Sequence, residues 1–582
     1  MAEPRVVPSQ GQKDVATFTV LVDGSAIPRT FEVSGVVVFK GIGRLSFARI
    51  ELLDGDPAAG TFAASSDALF APGKELEIQA GYRSQEARLF KGILVGQKLR
   101  IRQSGRSLLT LVCRHPLFKA TLAKKNRTHL DVTDGDAIAA ALSDYSVTLD
   151  RQSSVAVTHE RLVQLGATDW DFALARARAS GAFLIPTDDG VTLADPSLSG
   201  DPALELVFGA TILELDAELD ARTQPTEVTA TAWDPAAQEV LSSTGTEPSP
   251  PEAGNLSASD LSAIHGQVES MEHSGALTQE ELDAFTAARL LTRRLCKITG
   301  RVTCIGTTAV EPGSLVRLTG LGDRFSGTVL ATAVRHVLVD GSFRTDIQFG
   351  APEVGEPAST PDDPSAATAL VPLTRGLHIG VVEALSGDPE SEYRVRVRLP
   401  VLGDSAEAVW ARLARPDAGD GRGFVVYPEL GDEVVVGFVN DDPRHPVVLG
   451  SLFSSARAAP LSPTDENPER AYVSRGGHRL AFDDEANVVT LETQGGNRIL
   501  LDEENQGIFI EDQTGNVVVL DTNGIRLESA SNLEIKASGD IKVEGSNIEL
   551  RASAQLTASA SAGAELSASA NTVIKGALVQ IN

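Results

Sequence analysis

The 582-residue sequence is poor in aromatic residues, in sulfur and in positive charge. Aromatics make up 5% of it, so any core must rest on Val, Leu, Ile and Ala. Its three cysteines, Cys113, Cys296 and Cys304, are odd in number and far apart. That argues against a disulfide framework and suits assembly in a reducing cytoplasm. Lys and Arg total 51 against 79 Asp and Glu, a formal net charge of −28. A surface of that sign repels nucleic acid and anionic lipid, so neither is an expected partner. No run approaches the roughly 18 uninterrupted apolar residues that span a bilayer. The opening MAEPRVVPSQGQKD lacks a basic start followed by an apolar run, so no signal peptide is expected.

Catalytic signatures are equally scarce. There is no GxSxG elbow, no phosphate-cradling GxxxxGK, no HExxH and no CxxC. The nine histidines are scattered, none at ligand spacing from another His or Cys. His336, in AVRHVL, reads as a structural strand histidine, and His445 as a solvated residue of a Pro-bounded turn. Asp54-Gly55-Asp56 and Asp134-Gly135-Asp136 lack the later acidic ligands of a calcium loop and read as a turn and a helix cap. The acid pairs Asp483/Asp484 and Glu503/Glu504 read as a solvated outer face rather than glycosidase carboxylates. Arg293-Arg294 reads as an exposed helix end. No catalytic, cofactor-binding or metal-binding residue is expected, and no enzyme.

What is present is short strands, a few well-capped helices and a repeat. VATFTVLV (15–22), FEVSGVVVF (31–39), ELEIQA (75–80) and SLLTLVC (107–113) predict strands. Thr133 with Asp136, Thr168 with Asp171, and Thr278 with Glu281 each predict a helix start, and Gly181 fits a stop. Stretches at 241–262, 351–370 and 454–470 are rich in Pro, Ser, Ala and acids and read as linkers. In 393–399, YRVRVRL alternates strictly, placing Val and Leu on one face and Arg on the other. Five such short strands in 373–453 suit a small closed barrel of the OB type.

From about 478 the pattern becomes apolar pairs separated by turn residues. The pairs are Val489/Leu491, Ile499/Leu501, Ile508/Ile510, Val517/Val519, Ile525/Leu527, Leu533/Ile535, Ile541/Val543 and Ile548/Leu550. From 533 the spacing settles at about eight residues. Each unit reads as one strand and one turn, which cannot bury its own apolar face. Two inward residues per unit are few for a wide single-chain coil. A narrow core shared by three chains needs fewer, and pairs every strand edge with a neighbour.

Four motifs carry a family resemblance. They are QLGATDWDFALARARASGAF (164–183, with Trp170, Phe172 and Gly181), VTATAWDP (228–235), EPGSLVRLTGLGDRFSGTVLATAVRHVL (311–338), and GDEVVVGFVNDDPRHPVVLGSL (431–452, with Asp442, Pro443, Pro446 and Gly450). With the repeat behind them, they resemble the VgrG-type spikes of type VI secretion systems, phage tail hubs and extracellular contractile injection systems. The compact chain looks more like the extracellular particles, although a type VI spike is the alternative.

The resemblance implies a mainly β chain with an α+β N-terminal part. A tail-hub-like base of barrels (1–350) would be followed by a linker (351–372) and an OB barrel (373–453). A second linker (454–470) would then lead to a trimeric intertwined β-helix or β-prism needle (471–582). Leu533, Ile535, Ile541, Val543, Ile548 and Leu550 would form the needle core. Leu578, Val579, Gln580, Ile581 and Asn582 would meet a PAAR-type tip protein. The implied function is a homotrimeric central spike, assembled in the cytoplasm within a phage tail-like particle that is in some cases released. Its N-terminal region would contact inner tube and baseplate proteins, and a membrane would be met only by transient puncture. Two other classes make different demands. A polysaccharide-degrading tailspike requires a wide β-helix with clustered inward carboxylates, and an adhesin stalk requires a signal peptide or anchor.

Overall fold

The computed structural model describes residues 15–581, apart from 103–105, 154–156, 197–198, 252, 351–370 and 401–407. It is mostly β, with 43% strand and 13% helix. The chain divides into two compact units, Met1–Phe453 and Ser454–Asn582.

In the first unit, strands from residues 16–114 and from residues 204–349 join in one thirteen-stranded sheet among the described residues. Two apolar cores flank the seam. One contains Val36, Ile50, Phe70, Ile78 and Phe90, the other Leu206, Val302, Val316, Ile347 and Phe349. The seam is the antiparallel pairing of Val33–Gly41 with Gly327–Val339, where His336 faces Val38. His336 is buried, its Nδ1 lies 3.0 Å from Thr345 Oγ1, and burial pushes its pKa down to about 3. It is the neutral structural histidine that the alternation predicts.

Asp134–Leu142 and Asp169–Ala179 lie in the chain between these sheet halves, and Gln279–Leu295 interrupts the second half. All three predicted starts carry the predicted caps. Thr133 accepts from Asp136 N at the head of Asp134–Leu142, and Thr168 from Asp171 N at the head of Asp169–Ala179. Thr278 and Glu281 form a reciprocal capping box on Gln279–Leu295. Gly181 adopts φ +76°, the left-handed stop that its missing Cβ permits. The motif residues Trp170 and Phe172 are packing residues, in two separate cores around these helices.

Two expectations fail here. The stretch 241–262 is no linker. The strand Glu239–Thr244 runs into it, Ala253 is buried, and the helix Ala258–Ser262 ends it. Within it, Glu247 accepts from Arg294 Nε at 2.6 Å. Arg294 is correspondingly buried, not exposed, and its Nη1 also donates to the Pro225 carbonyl at 2.9 Å. Residues 351–370 lie outside the described residues, but Val371, near the end of the expected linker, is buried against Ala137, Leu162 and Phe172.

His378–Ala384, Val395–Arg398, Val409–Leu413, Glu433–Phe438 and Pro446–Ser451 close into a barrel. Val395 and Val397 point into its core, as the alternation predicts. Val163 and Leu165, from the strand Thr158–Thr168, extend that same core. The barrel is thus seated on the base rather than tethered to it.

The second unit opens with a seven-stranded antiparallel meander from Glu469–Val473 to Gly524–Glu528. Its turns fix one apolar face. Leu480 pairs with Leu491, Leu491 with Ile499, Ile499 with Ile510, Ile510 with Val518 and Val518 with Leu527. A parallel row runs Phe482, Val489, Leu501, Ile508, Leu520 and Ile525. The expected pair Val517/Val519 therefore lies on the opposite face. Four consecutive apolar residues, Val517–Leu520, carry no period, so the turn register decides, and a one-residue shift reverses the face.

Residues 529–581 form no strand or helix within one chain, because an extended segment has no ladder without a neighbour. The backbone nevertheless bends at 530–531, 538–539, 546, 553–554, 561–562, 569–570 and 577–578. The eight-residue step thus continues through the Ala- and Ser-rich stretch, where apolar pairs no longer mark it.

Candidate functional site

The most chemically loaded part of the described chain is a row of buried charges where the base meets the OB barrel. Helix capping supplies its first members. Asp134 opens the Asp134–Leu142 helix, yet its Oδ1 accepts from Arg176 Nε and Nη2, each at 2.7 Å. His159 Nε2 lies 3.1 Å from the same oxygen, and His159 Nδ1 lies 2.9 Å from Glu281 Oε1. Glu281 uses Oε2 to accept from Thr278 N, closing the capping box, and Oε1 to accept from Arg444 Nη1 at 2.6 Å. Arg444 belongs to the barrel. Its Nη2 donates to Asp442 Oδ2 at 2.8 Å, and Asp442 Oδ2 lies 3.3 Å from His273 Nε2. Arg161 Nη2 adds a bond to the Arg444 carbonyl at 2.6 Å.

Three carboxylates (Asp134, Glu281, Asp442) thus alternate with two guanidiniums and the His159 imidazole. Burial alone would raise each carboxylate pKa, but facing cations hold all three below the usual range. Burial likewise disfavours the His159 cation, but hydrogen bonds to Asp134 and Glu281 outweigh it and raise the pKa. With His159 protonated these six groups carry no net charge, which is how so many charges remain out of water.

A pH dependence follows. The folded His159 pKa lies above its unfolded value of about 6.5. Its contribution to stability is therefore complete below about pH 6.5 and is lost as pH rises through the folded value. Urea midpoints of the wild type are expected to fall across that window, and His159→Gln is expected to flatten this fall. An unchanged slope in the variant would refute the assignment.

The row corrects the expectation for His445. It is largely enclosed rather than solvated, its Nε2 is buried without a hydrogen-bond partner, and burial pushes its pKa down to about 4. The expectation of no metal ligands rested on sequence spacing. Folding brings His273, Asp442 and His445 together with ligand atoms all within 4.8 Å of one another. Sequence reasoning missed the row because capping already explained Asp134 and Glu281. The available signal was Arg176, which interrupts the apolar face of FALARARAS.

The expected needle-core residues Leu533, Ile535, Ile541, Val543, Ile548 and Leu550 are all exposed in the single chain. Of the expected tip residues, Leu578 and Ile581 are 83% and 86% exposed, Val579 and Gln580 are also exposed, and Asn582 lies outside the described residues.

Residues 378–453, covering the barrel, match the family model of the type VI secretion system/phage-baseplate injector OB domain. A stretch of 102 residues is 28% identical to the type VI secretion system spike protein VgrG3 of Vibrio cholerae serotype O1, covering 16% of this chain and 10% of that one. Another, of 58 residues, is 40% identical to the spike protein VgrG4b of Pseudomonas aeruginosa, covering 10% of this chain and 7% of that one. The matches thus span about a tenth of these relatives' length. A Francisella PdpA–VgrG complex shares the fold at TM-score 0.52 and 10% identity, over 89% of this chain and 80% of that one. In its barrel sequence and its fold, the chain is similar to spike proteins of the VgrG type. The family model of the Alg8 N-terminal domain matches residues 12–340, more than half of the sequence. The chain belongs to that family.

Proposed function

We propose that the chain is the central spike of a contractile injection system, a homotrimer that punctures a target envelope when the sheath contracts. The observation that carries this reading is the uncovered apolar face of the meander. Six strands each present two of its Leu, Ile, Val and Phe residues, and most of them are more than one-third exposed in the single chain. Continuous apolar patches of that extent mark interfaces. Three copies facing a common axis would cover the face of each, and 529–581 would gain the ladder partners that it lacks alone. Leu533, Ile535, Ile541, Val543, Ile548 and Leu550 would then line the shaft core.

The work is mechanical and uses no cofactor. The N-terminal region would sit on inner tube and baseplate proteins of a particle assembled in the cytoplasm. Leu578, Val579, Gln580, Ile581 and Asn582 would seat a PAAR-type tip protein. Sedimentation of the full chain is expected to give three times the 61.2 kDa chain mass. Removal of 538–582 should leave a trimer, because the meander is intact, while abolishing tip binding. A stable monomer would overturn the spike reading, and tip binding by the shortened chain would reject the terminus as its seat.

A further inference from the structure

We infer that His273, Asp442 and His445 form a site for a zinc-class divalent cation that fastens the OB barrel to the base. His273 ends the strand Glu269–His273 in the base, whereas Asp442 and His445 lie in the barrel loop before Pro446–Ser451. Their ligand atoms lie within 4.8 Å of one another. Two imidazoles and one carboxylate are a donor set of intermediate softness that suits zinc and its neighbours better than calcium or magnesium. A water would complete four-coordination.

Three features bear on the site. First, His445 Nε2 is buried and has no hydrogen-bond partner, an arrangement that native structures rarely leave unexplained. Second, His273 is oriented from behind. Its Nδ1 accepts from Gly275 N at 3.1 Å and lies 3.2 Å from the Gly275 carbonyl, while Nε2 faces Asp442 Oδ2 at 3.3 Å. Third, position 275 has room for no side chain. A Cβ there would lie 2.3 Å from His445 Cδ2, so glycine lets the second ring approach. The two rings stand 5.6 Å apart between centroids and are inclined at 65°, so they converge without stacking. Asp442 is supported in turn, accepting from Arg444 N at 2.9 Å and from its guanidinium.

Because the ligands come from segments 169 and 172 residues apart, an ion here binds only the folded junction and stabilises it by mass action. The test uses the full chain. It is stripped with a chelator, incubated with excess zinc, desalted, and its metal content measured; cobalt replaces zinc for an absorption spectrum. One zinc per chain is expected, with a cobalt spectrum of low coordination number and a higher thermal midpoint with zinc. His445→Ala and His273→Ala should each weaken zinc binding by at least about tenfold. Folding of both variants is checked by circular dichroism, and wild-type stoichiometry provides a readout independent of them. Wild-type zinc below a tenth of an equivalent, or binding indifferent to both substitutions, overturns the site.

Discussion

Replacing Leu501 and Ile510 together by aspartate is expected to separate the proposed trimer into single chains. The two residues occupy neighbouring strands, Arg498–Asp502 and Gly507–Glu511, on the apolar face. They are 46% and 40% exposed in one chain and would become enclosed when three faces meet. Completing the burial of one such side chain contributes roughly 1 kcal/mol, so two rows of six contribute on the order of 10 kcal/mol per chain before association entropy. A carboxylate in that proposed core would have no cation to face and no water. The cost is several kcal/mol at each site and is repeated in every chain. The opposite face already carries the ion pairs, such as Arg498 with Glu511 at 3.0 Å, so the new charges find no partner there. Sedimentation velocity reads the outcome, with Ile510→Val as a control that keeps the trimer. An L501D/I510D chain that remains trimeric would show that this face is covered by something other than its own copies.

The second large effect lies at the buried row. Arg444→Met is expected to destabilise the first unit by about 3–5 kcal/mol, because Glu281 and Asp442 lose the cation that neutralises both. Adding Glu281→Gln should recover part of that loss. Glutamine still fills the capping-box position above Thr278, so the helix start survives while one stranded charge is removed. The coupling between the two substitutions, read from urea denaturation, is expected to exceed about 1 kcal/mol. Strict additivity would show that the Glu281–Arg444 contact, at 2.6 Å, holds nothing together.

Much of this molecule is legible in its residue pattern because much of it is local. Caps at Thr133, Thr168 and Thr278 act within one helical turn, and the Arg/Val alternation of 395–398 is read out by pleating alone. The eight-residue step persists from the apolar pairs into the Ala- and Ser-rich stretch because the backbone bends that carry it are local as well. Where the pattern was ambiguous or the partners distant, it failed. Val517–Leu520 offers no alternation, and only the turn before it chooses the face.

The sequence by itself determined the class: small β-barrel, capped helices, a stacked repeat, and motifs in the order of a VgrG-type spike. The tertiary structure alone decided what happens between segments. It buried Arg294 and Arg444, made Glu281 serve a cap and a domain junction at once, and brought His273 beside Asp442 and His445. The reason is range. Hydrogen bonding within a turn and side-chain alternation depend on residues a few positions apart, whereas electrostatic pairing and ligand geometry depend on chain closure across more than a hundred.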